Sequence, residues 1–138
     1  MITVAKNKIH NSMHKLCNSI LELKGVRFAG LITNYGNLYA GGFKKETIPY
    51  ESDEKRWLMY IRFALESCFK KNFDESFGAF TYSTIQREKI SILTINICNY
   101  LLLVFVEPQI DIHKLAEKIR TTINENEMTT LKLGSKTH

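Results

Sequence analysis

Most of what announces a chemistry is missing from this chain of 138 residues. No GxGxxG or GxxxxGK[ST] run follows a strand pattern, so no phosphate-cradling loop is expected. Residues 134–137 carry part of such a loop but lack its preceding glycine, its strand and its helix. There is no GxSxG elbow, and neither a carboxylate pair nor a metal set stands out. Asp74 and Glu75 fall in a turn, and Asp53 and Glu54 at a helix start, where solvated or capping carboxylates are ordinary. His10 and His14 stand one helical turn apart with no third ligand in sight, and structural roles are expected for them. The expectation is a non-enzyme with no catalytic residue, no metal and no cofactor.

Three cysteines, Cys17, Cys68 and Cys98, make an odd set without short spacing, which excludes a paired disulfide framework. Each lies within an apolar pattern, so all three are expected as buried, unbridged thiols in a reducing cytosol. No segment approaches the roughly 18 apolar residues of a membrane span, and a signal-peptide core is lacking. A soluble cytoplasmic protein is the expectation. The chain shows no repeats and no interior linker.

What is present is enough apolar material for a core. Hydrophobic residues make up 44% and aromatics 11%. One domain of this length buries roughly two-thirds of its unfolded surface. The formal charge is +5, yet Lys and Arg are spread among acids and the densest patches are pairs such as Lys44-Lys45 and Lys70-Lys71. That reads as a solvated basic surface rather than a phosphate-tracking stripe. Tyr39, Phe43, Lys44 and Lys45 form only a short edge cluster, which argues against nucleic acid as a partner.

The densest apolar stretch, residues 101–106, is closed by Glu107 and Pro108 and reads as a strand covered on both faces. Before it, Ile90 and Ile92 share one parity while Leu93, Ile95 and Ile97 share the other, predicting a bulge or two-sided cover. Asn99-Tyr100 is taken as the tight connection. Residues 26–33 form a second interior strand, turned at Asn34–Asn37 into a partner at 38–43. Within that partner, Gly41-Gly42 implies a bulge or a close backbone approach.

Residues 7–24 form an amphipathic helix whose inner face holds Ile9, Met13, Leu16, Cys17, Ile20, Leu21 and Leu23, stopped by Gly25. A helix over 53–71, capped by Ser52 or Asp53, has two apolar faces. Trp57, Leu58, Ile61, Ala64, Leu65, Cys68 and Phe69 make the stripe expected to cover the sheet. Met59 and Phe63 project on the other side, with Tyr60 between. Residues 73–78 are read as a turn, and 79–87 as a more polar strand with Phe80 and Tyr82 on one parity. After Pro108, Asp111 caps a last helix with Ile112, Leu115, Ala116, Ile119 and Ile123 on one face.

Together these predict an α+β, three-layer α/β/α domain over residues 1–125, followed by a mobile tail at 126–138. Its five-stranded antiparallel sheet has order 2-1-5-4-3, with two helices on one face and one on the other.

The succession Leu23-Lys24-Gly25-Val26, Gly30-Leu31-Ile32 and Gly36-Asn37-Leu38-Tyr39-Ala40 resembles the opening of roadblock/dynein-light-chain domains, and the element order continues alike over about residues 7–125. Arg27-Phe28-Ala29-Gly30, Gly41-Gly42-Phe43-Lys44, Phe73-Asp74 with Gly78, and Leu101-Leu102-Leu103 are similar to small uncharacterised archaeal proteins of that pattern. The resemblance implies a non-enzymatic dimer that scaffolds or regulates small GTPases. The chain departs from roadblock domains in its basic charge and its Gly-Gly pair.

Two functions follow as expectations. The first is a homodimeric protein-interaction module, its interface formed by Met59, Tyr60, Phe63, Phe80 and Tyr82, with the poorly guarded strand 79–87 at the sheet edge. Gly25, Gly36, Gly41 and Gly42 are assigned to the backbone rather than to a ligand. The alternative is a small-molecule sensor holding its ligand between helix and sheet, which burial of Arg27, Asn96 and Tyr82 would favour.

Overall fold

The computed structural model of the chain describes residues 2–124. The expected tail at 126–138, and the loop fragment within it, lie outside them. Helix α1 spans Ile2–Leu21, followed by β1 (Val26–Ile32) and β2 (Leu38–Phe43). Helix α2 (Asp53–Lys70) runs through a 3-10 turn, Lys71–Phe73, into the single-turn α3 (Asp74–Phe77). Then come β3 (Tyr82–Gln86), β4 (Ser91–Ile97), β5 (Tyr100–Val106) and α4 (Ile112–Thr122). The strands form one antiparallel sheet of order β2-β1-β5-β4-β3, as the sequence predicts.

Strand β5 is central, and its alternation divides the core. Leu102, Val104 and Val106 meet α1 and α4, joined by Met13, Leu16, Cys17, Ile20, Leu115 and Ile119. Leu101, Leu103 and Phe105 meet α2 on the other face, with Phe28, Ile32, Tyr60 and Phe63. The register of β4 against β5 steps without a break from Ser91↔Val106 to Ile97↔Tyr100. Its two apolar parities therefore reflect cover on both faces and not a bulge. A true irregularity sits in β1 between Val26 and Phe28, which lets Val26 and Phe28 turn to opposite layers.

Several boundaries move. Helix α1 begins at Ile2 because no Gly or Pro interrupts the chain before Gly25, and it ends at Leu21, four residues short of that glycine. The β4–β5 connection is Cys98-Asn99, with Cys98 at φ 53°, so Tyr100 belongs to the ladder, where its ring lies 4.9 Å from that of Tyr39. This places Cys98 in solvent. Cys68 is exposed as well, and only Cys17 is buried; no disulfide joins the three. Residues 71–77 coil into short helical turns, and β3 starts only at Tyr82, leaving Phe80 ahead of it.

The main correction concerns α2. Tyr60, Phe63 and Ala64 are its buried residues, with Met59 packed beside them. Of the stripe expected to cover the sheet, Ala64 is buried and Ile61 half-buried, but Trp57, Leu58, Leu65, Phe69 and Cys68 are exposed. A helix with two apolar faces satisfies the 3.6-residue period with either one inward, so periodicity alone does not choose. The structure shows what does. The sheet offers the aromatic row Phe28, Phe43 and Phe105, and Tyr60 approaches Phe28 at 6.1 Å. On the same side Ser67 Oγ donates to Asn96 Oδ1 at 3.0 Å, a polar pair that the outer stripe could not supply. Arg56 and Lys70 lay their cations over Phe43 and Phe80, at 4.9 and 4.5 Å from the ring centroids.

Candidate interaction surface

Ser52 caps α2, accepting from Lys55 N at 3.2 Å, and Asp53 and Glu54 sit at the positive end of the helix. Arg56 then clamps the preceding loop, donating to Glu51 at 2.7 Å and also to Asp53. Burial opposes the charge on Arg56, but these bonds outweigh it and hold its pKa above the ordinary value. Burial also pushes the Tyr60 phenol up to about 12, against the pull of Arg56. Tyr60, Phe63 and Ala64 on the inner side of α2 are thus committed to packing against the sheet.

On the outer side, Trp57, Leu58, Leu65 and Phe69 are each more than half exposed, from 52% to 65%. From residue 57 to 69 the stripe is about 18 Å long at 1.5 Å per residue. It continues into Phe73 and Phe77, whose rings stack at 5.7 Å and 11°. Ile61, half buried, rests on the backbone of Gly36 in the β1–β2 turn. An ion pair between Arg62 and Glu66 at 3.3 Å borders the stripe.

The five residues expected to share an interface are not brought together. Met59, Tyr60 and Phe63 lie under α2, since the sheet's aromatic row takes them. Tyr82 turns to the opposite layer, its hydroxyl 3.1 Å from His113 Nδ1 on α4. Phe80 alone remains beside the outer surface, lining a 390 Å³ groove with Phe73, Phe77 and Lys70. Trp57, Leu58, Leu65 and Phe69, which sequence reasoning assigned inward, form the exposed patch instead.

Among the described residues β3 ends the sheet with β4 as its one strand neighbour, and no Pro interrupts it. Ile85 is 39% exposed on it. Gly36 and Gly41 take φ of 83° and 84°, and Gly41 lies so close to β1 that a Cβ there would stand 2.1 Å from the carbonyl oxygen of Ala29. Gly25 also has positive φ, while the space around Gly42 is open. The β1–β2 irregularity falls beside Tyr39, between Leu31 and Ile32, rather than at the glycine pair.

His10 Nε2 lies 3.0 Å from the carbonyl oxygen of Tyr39, and His14 Nδ1 accepts from Gly41 N at 3.3 Å, so both histidines tie α1 to β2. Among the described residues no three His, Cys, Asp or Glu side chains gather to hold a metal. Arg27, Asn96 and Tyr82 stand at separate places. Arg27 donates to Glu107 and to the Ile48 carbonyl, each at 3.0 Å, and Asn96 is occupied by Ser67. A separate open cleft of about 970 Å³ lies between residues 50–51 and the β3–β4 turn, floored by Ile92 and Phe105. No described helix is long and apolar enough to cross a membrane.

This architecture is the roadblock/LC7 fold. A roadblock/LC7 domain from Streptomyces avermitilis superposes with a TM-score of 0.60 at 9% identity, over 80% of this chain and 91% of that one. The gliding protein MglB of Thermus thermophilus gives 0.69 at 13%, over 90% and 91%. An MglB described with a tetrameric arrangement gives 0.70 at 12%, over 90% of each chain. By sequence the chain belongs to DUF6659, a family of unknown function whose model matches residues 7–129. No curated protein matches it in sequence.

Proposed function

We propose that this chain is a non-enzymatic, homodimeric protein-interaction module of roadblock type, working in the cytoplasm as a scaffold or regulator of a small GTPase. The observation that carries the reading is the exposed stripe Trp57, Leu58, Leu65 and Phe69. Four large side chains left in water forgo roughly 1.5–3 kcal/mol for each one that a partner could bury fully. A second copy suits the stripe because a two-fold axis beside α2 places the same apolar row on both sides. The nearby edge of β3 can then pair across the axis. The tetrameric arrangement named for one MglB supports self-assembly, the resemblance in residues 23–40 supports the GTPase partner, and the pieces at residues 27–30, 41–44, 73–78 and 101–103 support the kinship with archaeal proteins.

Trp57 is the sole tryptophan and reports directly on this surface. In the dimer its emission is shifted to the blue relative to a Leu65→Glu, Phe69→Glu variant of equal far-UV circular dichroism. Wild-type emission identical to that of the variant at 50 micromolar would contradict the dimer. A second reading, a small-molecule sensor, is favoured by one observation, the open cleft above Ile92 and Phe105.

A further inference from the structure

The cleft lies on the α2 side of the sheet, at the end where β3 closes and β4 opens. Its floor is made by Ile92 and Phe105, only 5% and 2% exposed, and Ile90 and Met59 line it. Tyr50 forms one wall. The Arg27 guanidinium stands 4.4 Å from its ring centroid, and the Lys89 ammonium reaches across from the β3–β4 turn to 5.6 Å. Gln86, Arg87 and Glu88 complete the rim.

The charges at this mouth are unequal in availability. Arg27 is committed to Glu107 and Ile48, and Glu51 is neutralised by Arg56. No described acid forms an ion pair with Arg87 or Lys89, and Glu88 is the only rim acid not so engaged. The site thus offers an apolar floor beneath two available cations and one opposing carboxylate. The volume of about 970 Å³ falls within the range of roughly 300–1,000 Å³ typical of ligand clefts.

Resting on the sensor reading, we propose that this cleft binds an amphipathic monocarboxylate, a medium-chain acyl or similar apolar acid, with its head between Arg87 and Lys89. Its tail lies along Ile90, Met59 and the recessed floor. A single negative charge matches the rim, where Glu88 offsets one of the two cations; a dianionic phosphate would meet too few donors. A slender chain reaches Ile92 and Phe105 where the broad face of a protein helix could not, because both are nearly covered.

Decanoate, kept below its micelle concentration, is the probe, titrated calorimetrically into the full chain. Saturable one-to-one binding is expected. Arg87→Glu with Lys89→Glu should weaken it at least tenfold, and so should replacing decanoate by decanol. Met59→Trp, which fills the cleft from α2, should abolish it with circular dichroism unchanged. Phe77→Ser, at the separate groove beside α3, should leave the affinity as it is, and so should Leu65→Glu with Phe69→Glu, which tests the dimer surface independently. Equal binding of decanol and decanoate would overturn the carboxylate assignment while leaving a ligand cleft in place. Binding that survives Met59→Trp would overturn the location. The absence of saturable binding by either probe would overturn both the proposal and the sensor reading.

Discussion

Phe63 and Leu65 stand two residues apart on α2 and face opposite ways, Phe63 8% exposed against the sheet and Leu65 56% exposed on the outer side. At 100° per residue they are separated by about 200°. Truncating them should therefore have opposite consequences. Phe63→Ala removes a side chain packed with Phe28, Leu103 and Phe105 and should cost about 3 kcal/mol or more of stability. Leu65→Ala should change monomer stability by less than about 0.5 kcal/mol and act on self-association instead. Urea denaturation at low protein concentration measures the first effect, and concentration-dependent light scattering the second. Equal losses of monomer stability would mean that the inner face of α2 is misassigned.

Gly36→Val and Gly41→Ala probe two backbone positions of different tightness. At Gly36 a Cβ meets the Ile61 backbone nitrogen at 2.9 Å, and at Gly41 it meets the Ala29 carbonyl oxygen at 2.1 Å and Cys17 at 2.9 Å. Both substitutions also place a side chain at positive φ, which strains the backbone by about 1–3 kcal/mol. Both should lower the thermal midpoint, Gly41→Ala more steeply because the edge strand must separate from β1. A Gly41→Ala protein as stable as wild type would refute the close approach of β2.

Alkaline pH should expose the buried thiol. Burial pushes Cys17 up to about 12 from an ordinary 9.0, with its backbone bond to Leu31 acting the other way. Above pH 9.0 the unfolded chain releases this proton while the native chain keeps it, so stability falls as pH rises toward 12. The slope from this group is about 1.4 kcal/mol per pH unit within that window, and no effect is expected below it. Tyr60, raised to about 12 from 10.0, adds a loss of the same sign starting one unit higher. Cys17→Ala should flatten the loss between about pH 9 and 10, measured by denaturation midpoints. An unchanged slope in that variant would assign the effect to other groups.

The thiols should also differ in reactivity. Cys98, exposed at the β4–β5 turn, should label quickly in the native protein, and Cys17 only after unfolding. Cys68 lies among the exposed residues of α2. It should label faster in the Leu65→Glu, Phe69→Glu variant than in wild type, because self-association covers that side. Rapid native labelling of Cys17, followed by mass spectrometry of the digested chain, would contradict its place between α1 and β1.

The sheet was legible because β1 and β5 carry apolar residues at both parities, and a strand covered on both faces has to lie inside. Once those two were adjacent, the connections left one simple order. The orientation of α2 was not legible, since Trp57, Leu58, Leu65 and Phe69 make a more apolar stripe than Tyr60, Phe63 and Ala64. The choice rests on long-range partners, the Phe28–Phe43–Phe105 row and Asn96, which no local pattern reveals. The clue available was Ser67, a small polar residue at i+4 from Phe63 that needs a partner when covered. The turn moved by one residue because Tyr100 pairs with Ile97 and packs beside Tyr39, which outweighs the preference of Asn for the first turn position. The cleft draws on residues 50–51, 59, 86–90, 92 and 105, so its chemistry appears only after folding.

Sedimentation equilibrium of wild type and of the Leu65→Glu, Phe69→Glu variant tests the central claim most directly. The wild-type chain should sediment at twice its 16.0 kDa at micromolar concentration, and the variant at 16.0 kDa with unchanged circular dichroism. A wild-type protein that remains at 16.0 kDa at 100 micromolar, or a variant that stays dimeric, would contradict an interaction module built on the outer face of α2.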